Sequence, residues 1–400
     1  MKLNEPYLII NLTDSRIVFF VITYNENKDY KLIKNITAYS NVILNGRIVD
    51  IKLVSEVIKK NVNFIEDELN HFFSHASVII NPNNINCLNV SGYKKLNGSQ
   101  VSKEDIAYIL NDIKKTILSN EEKYSIIHLF NSNFSLDSDN LENLPIGLFG
   151  EFYNQNMTFF LANKTTLKNL KLTFNNCGIN IDRVILKSFA DGISYSLKNK
   201  NDINFTTIAL QNKRINISIF KNKSYIFTQD FDFGTDLIIK DISKLCSLKF
   251  EEVSLLLKEV NLKAVLENDI ESYLDKKFFS MSPYRKIKHQ LILDIITSRL
   301  EELIEICYER NINIKYFKKS DGVIYITIET FEYFKNIQFA LQKNKLIDTE
   351  CLFGKNVEDS SLFTLNGTAV LIAKGWEKEA IPFIQSKKSI ISTFFSRLFS

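Results

Sequence analysis

The chain has 400 residues, 45% hydrophobic and 24% charged, with 50 Lys plus Arg against 46 Asp plus Glu. That is enough apolar material for two or more domains with sizeable cores. A net charge of +4 spread over this size is weak and does not argue for nucleic acid, which requires a concentrated basic face, so no nucleic-acid partner is expected. Cys87, Cys177, Cys246, Cys307 and Cys351 lie far apart, with no CxxC pair, and read as buried thiols of a reducing cytosol. The opening MKLNEPYLIINLTDSR lacks the pattern of a signal peptide, and no apolar run is long enough to span a bilayer. Glycine is scarce: 12 residues, under half the usual share of about 7%, with no Gly-Gly and no Gly-x-Gly. Loops that cradle phosphate need glycine, both for positive φ and for close approach of backbone N–H groups. This chain has little material for one.

In chain order, Tyr7–Leu12, Ile17–Tyr24 and Tyr30–Tyr39 are apolar, β-branched runs with short polar turns, which predicts an antiparallel meander. Val49–Phe73 predicts a helix, because Ile51, Val54, Ile58, Val62, Ile65, Leu69 and Phe72 recur at three and four. Strands are expected at Ala76–Ile80 and Ile85–Gly92. A helix should open at Ser102–Asp105 and run to about Leu118, and further strands should follow at Ser125–Ser135 and Gly150–Phe160. This β-β-α-β-β piece reads as an inserted subdomain. A helix over Thr165–Gly178, with Gly178 as C-cap, a strand at Ile181–Leu186 and a helix at Phe189–Leu197 come next. Then the opening pattern recurs: Phe205–Gln211, Ile215–Phe220 and Ser224–Phe231 form a second meander, again followed by helices. Helices dominate Thr235–Arg310, the last over Lys286–Arg310. Gly322–Ile328 predicts a strand, Thr330–Gln342 a helix and Asn366–Trp376 a late apolar helix, with a polar linker near Gln385.

Three local features carry chemistry. Written as a helix, Lys387–Ser400 puts Ile390, Ile391, Phe394, Phe395, Leu398 and Phe399 on one stripe, with Arg397 and small polar residues opposite. An aromatic-rich apolar face with a basic lead-in suits a bilayer interface; docking on the chain's own core is the alternative. Tyr284–Arg299 carries Arg285, Lys286, Lys288 and Arg299 around an apolar helix face, as a solvated helix or as a partner site. His71 and His75 stand at i and i+4 with no acidic or Cys partner, so no metal is expected there. No nucleophile-elbow glycines accompany Ser, His and Asp, and no catalytic residues are assigned.

NGRIVDIKLVSEVIKKNV, SHASVIINPNNINCLNVSG, the Pro145, Gly147, Leu148, Gly150 run and NLKLTFNNCGINIDRVILKSFADGISYSL resemble corresponding stretches of the bacterial cell-division family FtsA. DFGTDLIIKDISKLCSLKFEEVSLLLKE and SLFTLNGTAVLIAKG resemble later ones. The resemblance implies an α/β, actin-like (ribonuclease H-like) two-domain fold, with a small α/β subdomain inserted in the first domain and a C-terminal amphipathic helix. The implied parts are domain I at 1–75 and 154–200, an SHS2-like insert at 76–153, domain II core at 201–232 and 287–355, and a helical partner-binding subdomain at 233–286. Helices returning to domain I at 356–384 and a linker with a membrane-targeting helix at 385–400 complete it.

The resemblance further implies a divisome adaptor at the cytoplasmic face of the inner membrane, at the septum. It would anchor polymers of the tubulin-like FtsZ through the FtsZ C-terminal peptide, bind lipid through Ile390, Ile391, Phe394, Phe395, Arg397, Leu398 and Phe399, self-associate into actin-like filaments and meet other divisome proteins. The peptide contact is implied by region, around Arg285, Lys286, Lys288 and Arg299. The family also implies ATP with Mg2+, and here the chain departs from it. Where Asp-x-Gly-Thr is expected stand Asn11, Leu12, Thr13 and Asp14. Where Asp-x-Gly-Gly-Gly-Thr is expected stand Ala209, Leu210, Gln211, Asn212, Lys213 and Arg214. The Gly-Gly pair after the late strand is replaced by the run TIET, Thr327 to Thr330. The expectation is therefore a non-catalytic adaptor with no resident cofactor. The second reading is an active, polymerising actin-like ATPase of the FtsA or pilus-assembly kind.

Overall fold

Alternating strands and short polar turns set up the first sheet. The computed structural model describes residues 4–14, 16–83, 85–141, 143–315, 322–329, 333–343 and 357–382. β1 (Tyr7–Thr13), β2 (Arg16–Tyr24) and β3 (Tyr30–Tyr39) form the expected antiparallel meander, with Ile10 opposite Phe19 and Phe20 opposite Asn35. A ribbon of β4 (Ile43–Leu44) and β5 (Arg47–Ile48) leads into helix α1 (Ile51–Leu69). The Asp50 carboxylate caps α1 by accepting the Leu53 N–H, and Val54, Ile58, Val62 and Ile65 are buried on its inner face. Asn70, at φ 48°, ends it in the left-handed region. That turn breaks the helical period, so Phe72 is 72% exposed and Phe73 takes the buried place.

β6 (His75–Ile80) corrects the expected insert boundary at residue 76. It pairs in parallel with both β1 and β11 (Asn180–Leu186), giving the order β11-β6-β1-β2-β3. Its run of successive buried residues, Ala76 to Ile80, suits a strand covered on both faces, not the half-buried edge of a small insert. The insert's own sheet starts at β7 (Asn86–Lys95). Helix α2 (Lys103–Asn120) follows, opened by a capping box in which Ser102 and Asp105 satisfy each other's backbone N–H groups. β8 (Tyr124–Leu136), β9 (Asp139–Leu141) and β10 (Phe152–Asn163) complete it. Ile106, Ile109, Leu110 and Ile113 of α2 pack on Leu129, Tyr153, Met157 and Phe159. Gly92 permits that approach: a Cβ there would lie 2.3 Å from Ile109 Cγ2. β10 pairs with β7 and β8 as far as Leu161 and Asn163, so the expected boundary at 153 cuts a continuous strand.

Helix α3 (Lys164–Asn176) ends at Cys177 and Gly178, the glycine at φ 73°, as its C-cap spacing suggested. Helix α4 (Lys187–Lys198) follows β11. In the second meander β12 (Phe205–Leu210), β13 (Ile215–Lys221) and β14 (Ser224–Phe231) stand in the order β14-β13-β12-β15, and β15 (Val323–Ile328) runs parallel to β12. Between them lie α5 (Asp236–Cys246), α6 (Phe250–Glu259), α7 (Leu262–Asn268) and α8 (His289–Ile304). α8 starts later than the expected Lys286. Residues before it are extended, Lys288 bridges to Tyr273, and Pro283 disfavours helix in the residue before it. α9 (Phe334–Lys343) and α10 (Val357–Lys374) follow, then a strand the sequence did not reveal, β16 (Glu379–Pro382), which pairs with β8 at the edge of the inserted sheet. One compact unit takes its described residues from Met1–Ile203, Phe220–Thr228 and Ser361–Ser400; the other takes its own from Asn204–Ile219 and Gln229–Ser360. Among the described residues, no helix is long and apolar enough to cross a membrane.

Two features tie the first unit together. Tyr225 stacks on Phe160 and Phe220 at centroid distances of 4.2 and 4.7 Å, with Phe130 and Phe189 edge-on to each other beside it. Second, Glu379 of β16 lies fully inside, its Oε1 2.8 Å from His128 Nδ1 of β8 and its Oε2 bonded to the Arg183 guanidinium of β11. Helix α10 crosses α4 closely, because Gly367 has no Cβ to strike the Ala190 carbonyl, which would lie 1.9 Å away. Gly367→Ala should therefore push the two helices apart and lower stability by about 1–3 kcal/mol. Denaturant unfolding of the variant checks this, and an unchanged midpoint contradicts it.

Candidate functional site

The residues marked by sequence fall into three groups, one in the first unit and two in the second. The first hairpin turn joins β1 to β2. Asn11 is 1% exposed, shares a face with Ile9, and has Val18 as its cross-strand neighbour; its Oδ1 has no hydrogen-bond partner among the described residues. The Thr13 hydroxyl donates to the Arg16 carbonyl at 2.9 Å and so closes the turn. Asp14 Oδ1 accepts the Gly46 N–H at 2.7 Å, turning its carboxylate towards the β4–β5 ribbon. Gly46, at φ 68°, is needed there: a Cβ would lie 2.3 Å from the Asn81 carbonyl. The turn's hydroxyl and its carboxylate are thus both engaged in holding the turn.

The second hairpin, between β12 and β13, is equally self-engaged. The Gln211 N–H donates to the Arg214 carbonyl at 2.9 Å. Gln211 Nε2 donates to Glu329 Oε2 at 3.0 Å, and Arg214 Nε donates to Gln211 Oε1 at 3.3 Å. Arg214 also faces Asp230 at 3.8 Å, and Asn216 Nδ2 donates to the same carboxylate oxygen at 3.1 Å. Burial pushes the Asp230 carboxyl up, against the Arg214 charge that favours its ionised form. Ala209 contributes no polar side chain, and Asn212 and Lys213 are exposed. The start of α5 normally offers unpaired N–H groups to an anion. Here the Thr235 and Asp236 N–H groups donate to the Gln211 and Asn212 carbonyls at 3.0 and 2.8 Å. Gly234 makes this closure possible, since a Cβ would lie 2.2 Å from the Gln211 carbonyl. Of the TIET run, Glu329 is the partner of Gln211 and its N–H donates to the Leu210 carbonyl at 2.8 Å; Thr330 lies outside the described residues.

The basic segment differs from its expected form. Arg285, Lys286 and Lys288 precede α8 instead of lining a helix face. Lys288 pairs with Glu271, and Arg299 pairs with Asp241 and Glu302, so these two cations are spent within the unit. Arg285 donates to Ser247 Oγ at 3.1 Å and stays exposed, as does Lys286. Beside them lie the exposed side chains of Tyr273, Met281 and Tyr284, with Lys276 Nζ 5.5 Å above the Tyr284 ring. His71 packs edge-on to Phe73 and His75 bonds Ser74. Among the described residues no cluster of His, Cys, Asp or Glu is arranged to hold a metal. The tail residues Ile390, Ile391, Phe394, Phe395, Arg397, Leu398 and Phe399 lie outside the described residues, as does Cys351. Sequence reasoning missed Asp230 and Glu329 as loop partners, and His128, Arg183 and Glu379 altogether. No local spacing could mark the last three, because His128 and Glu379 are 251 positions apart.

Arg214→Ala should leave Asp230 buried without its cation and cost about 3 kcal/mol at neutral pH. A carboxyl whose folded pKa is raised is relieved by protonation, so the loss should shrink as pH falls. Thermal unfolding of both proteins from pH 8 to 5 checks the sign; a pH-independent difference contradicts it.

Residues 83–157 match the family model described as the SHS2 domain inserted in FTSA. Over 305 residues the chain is 21% identical to the cell division protein FtsA of Buchnera aphidicola subsp. Schizaphis graminum, covering 75% of this chain and 72% of that one. Over 315 residues it is 23% identical to FtsA of Bacillus subtilis, covering 77% and 70%. A solved PilM–PilN type IV pilus biogenesis complex superposes with a TM-score of 0.54 at 9% identity, covering 92% of this chain and 97% of that one, which is a likeness of fold alone. With two meander-led units, an SHS2 insert and these relatives, the chain is a divergent FtsA-like protein with an actin-like fold.

Proposed function

We propose that this protein works in cell division as a non-catalytic adaptor, tethering FtsZ polymers to the cytoplasmic face of the cell membrane at the septum. The observation that carries the division role is the inserted SHS2 domain, within similarity to FtsA relatives over some three quarters of the chain. Lipid contact falls to Ile390, Ile391, Phe394, Phe395, Leu398 and Phe399, flanked by Arg397 and led by Lys387 and Lys388. The FtsZ C-terminal peptide is assigned to the exposed segment with Tyr273, Met281, Tyr284, Arg285 and Lys286, where aromatic and apolar surface adjoins two available cations. Self-association into filaments and contacts with other divisome proteins complete the partner set.

The non-catalytic part of the reading rests on the two hairpins, which do not suit Mg-ATP. Metal-assisted phosphoryl chemistry needs carboxylates on the metal and N–H groups on the phosphates. Asn11 and Ala209 provide no carboxylate, Asp14 is turned to Gly46, and the first N–H groups of α5 are taken by loop carbonyls. Calorimetry of the purified chain with Mg-ATP is expected to show no binding tighter than roughly millimolar, near 4 kcal/mol, with no phosphate release above background. Micromolar affinity would restore the polymerising-ATPase reading. For the tail, Phe395→Glu places a charge in the middle of the apolar stripe, where insertion would have to desolvate it. The variant should lose most co-sedimentation with anionic vesicles; retention equal to wild type removes the lipid anchor.

A further inference from the structure

β16 is a weak strand with a strong side chain. It is four residues long, it sits at a sheet edge, and its register with β8 covers only Glu379 on Phe130, Ile381 on Leu129 and Pro382 on His128. A proline has no N–H to give, and a ladder this short is marginal by itself. The Asn131 N–H bond to the Lys378 carbonyl, the Trp376 Nε1 bond to the Lys223 carbonyl and the burial of Ala380 help to hold it, and to these Glu379 adds one carboxylate between two partners from separate elements, with all three side chains no more than 3% exposed.

The hydrogen bonding admits one state of His128. Its Nε2 accepts the Leu186 N–H at 3.2 Å, so the ring proton is on Nδ1, where it is donated to Glu379 Oε1. A second proton could go only to Nε2. It would set one donor against another at Leu186 and place a second cation beside Arg183, with a single carboxylate to serve both. Among the described residues, Glu379 and Arg183 are the charges that act on it: Phe130 of β8 and Phe189 of α4 are the rings beside it, the Leu371 carbonyl of α10 accepts from Arg183, and Lys187 and Asp191 of α4 pair with each other at 2.6 Å.

We propose that the Arg183–Glu379–His128 cluster is a proton-sensitive latch for the C-terminal strand: with His128 neutral it pins β16 to β8, and proton uptake by His128 lets residues 375–382 come away from the inserted domain. The directions of titration agree. Burial lowers the His128 pKa below its ordinary value, outweighing Glu379. Burial pushes the Glu379 carboxyl up, but the Arg183 charge and the two hydrogen-bond partners outweigh it and hold the group ionised. A depressed histidine contributes stability that is complete above its unfolded pKa of about 6.5 and is lost as pH falls below it. The functional consequence rests on the reading of the tail as a lipid anchor. In sequence, residues 383–389 separate Pro382 from the apolar stripe; release frees a further eight residues, 375–382, a stretch of roughly 26–29 Å when extended. The latch would thus set how far the body stands from the surface its tail holds.

Hydrogen exchange on the full chain, normalised to the intrinsic rate at each pH, tests this on a peptide spanning 376–382, with α1 as internal reference. From pH 7.5 to 5.5, wild type is expected to lose protection in 376–382 by several-fold, up to the roughly tenfold that one histidine with an unfolded pKa of about 6.5 allows, while α1 is unchanged. Glu379→Gln should lack that protection at both pH values. His128→Gln, which is neutral throughout, should show no change between them and remains informative if the Glu379 variant folds poorly. Equal wild-type protection at both pH values overturns the latch, and so does parallel loss in α1, which would mean global unfolding. Vesicle co-sedimentation of wild type at pH 7.5 is the separate arm. Its failure removes the lipid reading and leaves the exchange result standing.

Discussion

The first unit depends on a carboxylate that no short-range rule would place inside a protein. Glu379 is 3% exposed, and it is tolerated there because Arg183 neutralises its charge and His128 satisfies its other oxygen. The three come from distant segments and from two sheets. Arg183 lies on the edge strand of the main sheet, His128 on the inserted sheet, and Glu379 on the strand that follows the last helix. Because an unpaired charge in that position would be costly, the three segments are held in one arrangement more firmly than four residues of β-pairing could achieve. The inserted domain is therefore completed by residues far from it in the chain, and its sheet is wider than the 83–157 segment that defines it by similarity.

The same economy of polar groups runs through the two hairpins. A glycine-rich loop leaves its backbone donors free for a ligand, because nothing of its own fills the space. In this chain the space is filled from within. Gln211 spans from Arg214 to Glu329, and the loop carbonyls satisfy the first N–H groups of α5. Glycine is kept where backbone must approach backbone, at Gly234 and Gly46, and is absent from the tips of these two hairpins. The arrangement stabilises the ends of β12 and β15, where a parallel sheet ordinarily offers its ligand crevice.

Much of this was legible locally. The first meander, the capping box at Ser102 and the Gly178 cap lie where periodicity and turn chemistry put them. The departures have identifiable causes. α1 stops at Asn70 because a left-handed residue ends a helix whatever apolar residues follow. β6 looked like the start of the insert because a strand's sequence states that it is buried, not which sheet buries it. The basic segment before α8 looked helical because its apolar residues fit the period, while the bridge to Tyr273 holds Lys288 extended. β16 was invisible, since four residues carry no period at all.

The sequence by itself determined the kinds of element, the repeat of meander and helices, the family likeness and which residues stand in the two hairpins, because each of these is written in residues within a few positions of one another. Only the tertiary structure decided what those hairpins do with their polar groups and which distant charges meet. A buried carboxylate must find its partner wherever the fold brings one, and for Glu379 that partner is 196 residues away at Arg183 and 251 away at His128. Such pairings are set by the desolvation of charge in three dimensions, and no spacing along the chain encodes them.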